Sequence, residues 1–130
     1  MMISKELLSE VLGIRYIAMN PILEPMNKIG YLVYGSQNTP QEVRRNHKQI
    51  NIYELAHKCK EYAYNQGYII SSGLTPVLGV NKDGWAEVFS SSTPLDGKLH
   101  TFKQLSEPEA IFKAAQWVLD NTSTNKLKGH

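Results

Sequence analysis

His57, Cys59 and Glu61 place an imidazole, a thiol and a carboxylate within one short stretch. Such a trio could supply a nucleophile with its base, or part of a metal site. The spacing argues against both. The surrounding residues read as a helix, in which positions two apart point to different faces, so His57 is badly placed to activate Cys59. Cys59 falls in the middle of that helix's apolar stripe and reads as a small buried hydrophobe. His57 and Glu61 share a face, but two ligands are too few to hold a metal, and a solvated pair is the simpler reading. The four histidines, His47, His57, His100 and His130, include no i,i+4 pair of the kind that pre-organises a metal site. A lone cysteine cannot supply a C-x-x-C site. The sequence therefore assigns no catalytic residue, no cofactor site and no metal site.

The densest charge is Arg44-Arg45-Asn46-His47-Lys48. Arg44, Arg45 and Lys48 could meet phosphates or an acidic partner. Against this, the formal net charge is only +2 and no aromatic residue interleaves the cluster, so a solvated loop is the favoured reading. Glycines follow neither the G-x-G-x-x-G nor the G-x-x-x-x-G-K-[ST] pattern, which leaves a nucleotide loop unsupported. Ser71-Ser72 and Ser90-Ser91-Ser92 supply hydroxyls without a matched base and read as turn and strand-end residues. Seven tyrosines and two tryptophans are the remaining chemical resource. Such side chains suit core margins and protein interfaces alike, and the core margin needs no partner. Trp117, Tyr53 and Tyr64 lie off the centres of their helix stripes and are the ones expected to be exposed. Tyr34 sits in a strand that is apolar on both faces. The candidate partner-binding residues are accordingly Arg44, Arg45, Lys48, Tyr34 and Trp117.

A chain of 130 residues that is 42% hydrophobic and 20% charged suits one folded domain with a real core. Cys59 is the single cysteine, so no internal disulfide can form, which fits a reducing compartment. No apolar run approaches the roughly 20 residues that cross a bilayer, and MMISKELLSE lacks the apolar core of a secretion signal, so the expected location is cytoplasmic. Met1 and Met2 are alternative starts.

The elements that must carry these residues are marked by caps and periodicity. Ser4 caps a helix to about Leu12, with Gly13 past its end. Ile14–Met19 and Ile29–Tyr34 read as strands separated by a break at Asn20-Pro21. Residues 35–49 read as a long polar loop, which is functional or mobile. Asn51 and Glu54 open a second helix, with Ile52, Leu55, Ala56, Cys59, Tyr62 and Ala63 on one arc and Gly67 as its stop. Tyr68–Ser71 reads as a strand interrupted by Gly73 and Pro76. Val77–Val80 and Trp85–Ser90 flank Asn81-Lys82-Asp83-Gly84, a hairpin signal with Gly84 in the left-handed position. Leu99–Phe102 is a short edge strand. Ser106 and Glu109 form a capping box for the last helix, Pro108 sits in its first turn, and Ile111, Ala114, Ala115, Val118 and Leu119 make its stripe beside Phe112. That helix is expected to end near Asn121, with residues 122–130 as a flexible tail. The order αββαβββα implies a single α+β domain over residues 1–121. Its form would be two-layered: a mostly antiparallel sheet of 4–5 strands under two long helices packed on one face.

The segments Ile50–Tyr68 and Ser106–Leu119 together resemble small uncharacterised proteins encoded by bacteriophages and prophages of Gram-negative bacteria. The resemblance covers the two long helices and rests on caps and stripes. It brings no catalytic residues. It implies an accessory gene of a mobile element acting inside a bacterial cell by binding a host or phage macromolecule. The leading expectation is a non-enzymatic protein that binds another protein, with a homodimer if the strand face carrying Leu32 and Tyr34 is uncovered. The alternatives are a nucleic-acid-binding module using residues 44–48, and a small enzyme or ligand binder whose site the sequence conceals.

Overall fold

A computed structural model describes residues 3–13, 31–34, 48–76 and 82–128. The element order is α1 (Lys5–Leu12), β1 (Tyr31–Tyr34), β2 (Lys48–Asn51), α2 (Ile52–Asn65), β3 (Tyr68–Pro76), β4 (Lys82–Ser90), a 3₁₀ turn (Pro94–Asp96), β5 (His100–Gln104) and α3 (Glu107–Lys128). This is an α+β protein with antiparallel pairing throughout the described strands. Among the described residues it differs from expectation in having two sheets, of two and three strands, in place of one sheet of 4–5. The chain divides into two compact units, the boundary falling within α2 after Lys58.

In the first unit, the Ser4 hydroxyl accepts the Leu7 N–H at 3.1 Å and so satisfies one of the orphan donors at the start of α1. Gly13, at φ +68°, closes the helix. Leu7 and Leu8 are fully buried. β1 and β2 pair so that Leu32 lies opposite Ile50, and both are buried. Leu32, on the strand face where a homodimer was expected, is buried. β2 corrects the long-loop reading at its end, because Lys48 and Gln49 are strand residues. A strand with one inward apolar residue carries little sequence signal, and pairing with β1 supplies the rest. The expected strand at Ile14–Met19 lies outside the described residues.

At the start of α2, Asn51 Oδ1 accepts the N–H groups of Tyr53 at 2.8 Å and Glu54 at 3.3 Å, as the sequence signalled. Ile52, Leu55, Ala56, Cys59 and Ala63 of the stripe are buried and Tyr62 is half-buried. Gly67 ends the turn at φ +95°, and its carbonyl accepts the Ser91 N–H at 3.0 Å, tying the start of β3 to the end of β4.

In the second unit β3, β4 and β5 lie in that order. α3 crosses one face and touches all three strands, β4 most. Alternation decides which residues meet it. Ala86 and Val88 of β4 are fully buried, whereas Trp85, Glu87 and Phe89 on the opposite face are half-buried. α3 contributes Ala110, Ile111, Phe112, Ala114, Ala115 and Val118 to the core. Phe112 is the largest fully buried side chain, worth about 1.5–3 kcal/mol relative to exposure. The Ser106 hydroxyl accepts the Glu109 N–H at 3.3 Å, as the capping box predicts. Ser72 Oγ donates to Glu107 Oε2 at 2.7 Å and pins this first turn to β3.

Three expectations fail in this unit. β3 runs unbroken through Gly73, because the ring of Trp85 on β4 lies against the bare glycine where a Cβ would stand 2.8 Å from Cζ2. β4 pairs with β3 with Lys82-Asp83-Gly84 already in strand, so Gly84 is not a turn residue, and the expected strand Val77–Val80 lies outside the described residues. It is glycine because the backbone of Ser106 and Glu107 occupies the place a side chain would take. Finally, α3 continues past Asn121 to Lys128. No glycine or proline interrupts 122–128. The polar side chains at the expected end reinforce the helix, Asn121 donating to the Trp117 carbonyl at 2.7 Å and Thr122 to the Val118 carbonyl at 2.9 Å.

Candidate protein-binding surface

A shallow depression of about 340 Å³ opens on the second unit. The last turns of α2 supply Lys60, Glu61, Tyr64 and Asn65, and β3 supplies Ile69 and Ile70. The local sequence explains the arrangement. Gly67 turns the chain from helix to strand, so the polar side of the helix end and the first strand residues become neighbours. Ile69 and Ile70 are consecutive and must lie on opposite faces of β3. Ile70, on the α3 side, is 6% exposed, while Ile69 is half-buried. Tyr64 stands 66% exposed. The floor is therefore apolar, one aromatic ring is presented to solvent, and the surrounding polar groups carry both signs of charge. The Tyr53 ring of the same helix is equally open at 67%, as its position off the stripe predicts.

Trp117 is half-buried at the end of the sheet, a core-margin residue more than an open one. Its ring meets Tyr68 edge-on at 5.6 Å and lies 6.1 Å from His100, which stacks on Phe102 at 4.4 Å. Tyr68 and His100 belong to the two outer strands, so the indole bridges the sheet across β4. The remaining candidates belong to the first unit. Tyr34 and Lys48 are direct cross-strand partners, a proximity the sequence did not show because thirteen residues separate them. Arg44 and Arg45 lie outside the described residues. Tyr64, with Lys60, Glu61, Asn65, Ile69 and Ile70, was missing from the sequence-derived set, although the Ile69-Ile70 doublet already required one isoleucine to face away from the core.

Cys59 is fully buried and free. Burial pushes its thiol up to about 12, far from the value a nucleophile needs near neutral pH. Ser72 Oγ donates to Glu107, and the hydroxyls of half-buried Ser90 and exposed Ser92 meet each other at 3.0 Å. No group of three His, Cys, Asp or Glu side chains comes together among the described residues, and no helix among them is long and apolar enough to cross a membrane. No protein family matches the chain, and no curated protein or solved structure is similar to it.

Proposed function

We propose that this chain is a non-enzymatic phage or prophage accessory protein that works in the bacterial cytoplasm by binding another protein. The depression beside Tyr64 carries the reading. A solvent-presented tyrosine next to an apolar floor, inside a rim of mixed charge, is the composition of a protein-binding hot spot. An opening this shallow accepts an apolar side chain from a partner more readily than it encloses a small substrate, which usually needs most of its surface covered. The buried thiol of Cys59, with its raised pKa, supports the non-enzymatic part. The resemblance of the two helical segments to phage-encoded proteins supports the setting.

The test is site-specific photocrosslinking in a Gram-negative host carrying a prophage. A benzophenone side chain is placed at Tyr64 and, as a control, at Lys113, which is exposed on α3. The proposal expects one discrete protein adduct from position 64, none from position 113, and loss of binding of the purified adduct protein in Tyr64→Ala. Equal labelling from both positions, or binding that survives Tyr64→Ala unchanged, overturns it.

A further inference from the structure

We infer that β3 pairs with the β3 strand of a second copy of this chain, antiparallel about a two-fold axis at Ser72. The inference goes beyond the reading above and uses the edge of the strand, not the depression. β3 is an outer strand of its sheet, and among the described residues nothing pairs with its other side. The edge is open over its second half, where Ser71 and Thr75 are exposed and Leu74 is 51% exposed. Among the described residues its outward backbone donors and acceptors have no strand partner there. The Ser91 N–H donates to the Gly67 carbonyl, and these two residues continue the β3–β4 register. Hydrogen-bonded pairs alternate along an antiparallel ladder, so the odd residues of β3 serve β4. Ile70, Ser72 and Leu74 therefore aim N–H and C=O outward.

Edge strands that stay unpaired are normally short, charged, bulged or interrupted by proline. The other outer strand, β5, follows that rule, being five residues long with Lys103. β3 breaks it, with nine residues, no charge, and Pro76 only at the end. Its sequence is also complementary to itself. A two-fold axis at Ser72 sets Ile70 against Leu74 of the second copy, Ser72 against Ser72, and Ser71 against Gly73. These pairs are apolar with apolar, hydroxyl with hydroxyl, and small with small, and no like charges meet. The outward backbone groups of residues 70, 72 and 74 coincide with the bonded positions of that register, giving about six hydrogen bonds. This self-match favours a second copy over an unrelated extended peptide.

The test joins sedimentation velocity of the full chain over a wide concentration range with amide hydrogen exchange by NMR. A dimer is expected, with the Ser72 and Leu74 amides gaining protection as it forms and Leu74→Lys weakening it at least about tenfold. Because Leu74 is half exposed, that variant is expected to keep the wild-type circular dichroism and melting profile; a second variant, Thr75→Lys, places the charge on the opposite face of the same edge. A protein that stays monomeric at millimolar concentration overturns the inference. So does a dimer that both variants leave intact, or one that forms without protecting residues 72 and 74. Protection of those amides independent of concentration would show that the chain covers its own edge, and also overturns it. An adduct at position 64 counts for the protein-binding proposal only where its mass identifies a protein other than a second copy of this chain, so the two can fail separately.

Discussion

Replacing Gly84 by alanine is the sharpest probe of how the second unit is assembled. Gly84 sits in β4 opposite Leu74 and Gln104, buried, without a positive φ. A Cβ there collides with the Ser106 carbonyl carbon and oxygen and with the Glu107 nitrogen. These are backbone atoms at the start of α3, so no rotamer change relieves the clash. Forcing the helix start away costs the overpacking strain of about 1–3 kcal/mol. It also strains two contacts: the Ser106 cap, worth about 1 kcal/mol, and the Ser72–Glu107 bond, which as a charged, part-buried hydrogen bond contributes about 1.5 kcal/mol. The expected loss is about 3 kcal/mol, a large share of the roughly 5–15 kcal/mol that holds a domain together. Urea denaturation checks it: with a slope of about 2 kcal/mol/M, the midpoint falls by about 1.5 M at unchanged slope. Gly84→Asn separates this from the turn explanation. In a left-handed turn asparagine would be tolerated better than alanine, whereas against a backbone wall the larger side chain is worse. A loss below about 1 kcal/mol for Gly84→Ala, the lower end of overpacking costs, or a milder effect for Asn than for Ala, refutes the reasoning.

The Cys59 thiol has a pKa raised from 9.0 to about 12, so folding favours its neutral form. That stability is fully present below pH 9 and is lost as pH rises toward 12; the difference in unfolding free energy between wild type and Cys59→Ala should shrink by about 1.4 kcal/mol per pH unit across that window. A thiol reagent at pH 8 should label Cys59 only after unfolding, which a denaturant series with dye detection checks. Ser72→Ala should cost about 1.5 kcal/mol by losing the donor to Glu107. In a double-mutant cycle with Glu107→Ala the two losses should fall short of additive, and additive losses would show that the bond contributes nothing.

The caps were legible because each is a local event. Ser4, Asn51 and Ser106 act on N–H groups two or three residues away, and Gly13 and Gly67 are needed by their own dihedral angles. Both buried stripes could be read for the same reason, since 3.6 residues per turn fixes a face from sequence alone. What failed depends on a distant partner. Gly73 and Gly84 looked like breaks because a glycine gives no sign of the ring or backbone that will occupy its missing side chain. β2 looked like loop because its inward residue, Ile50, gains its meaning from Leu32 on the other strand. Trp117 was singled out as exposed on the geometry of its own helix, but the rings that half-cover it come from β3 and β5. The fold decides which aromatic residues are presented: Tyr53 and Tyr64 are exposed, and Trp117 is half-covered.

The same contrast bears on β3. Charged residues make up 20% of the chain, so a nine-residue solvent-edge strand would ordinarily carry about two, which is how such edges avoid joining others. β3 carries none, and no charge occurs anywhere from Tyr62 to Asn81. Burial under α3 does not account for this, because α3 covers one face only and Ser71, Leu74 and Thr75 remain exposed. The turn requirement ends at Gly67 and the glycine contact with Trp85 concerns a single position. What would be harmed by a charge is pairing through the free edge: a lysine at position 74 would stand opposite Ile70 of the second copy. The neutrality of the segment is thus explained by its edge more fully than by its core.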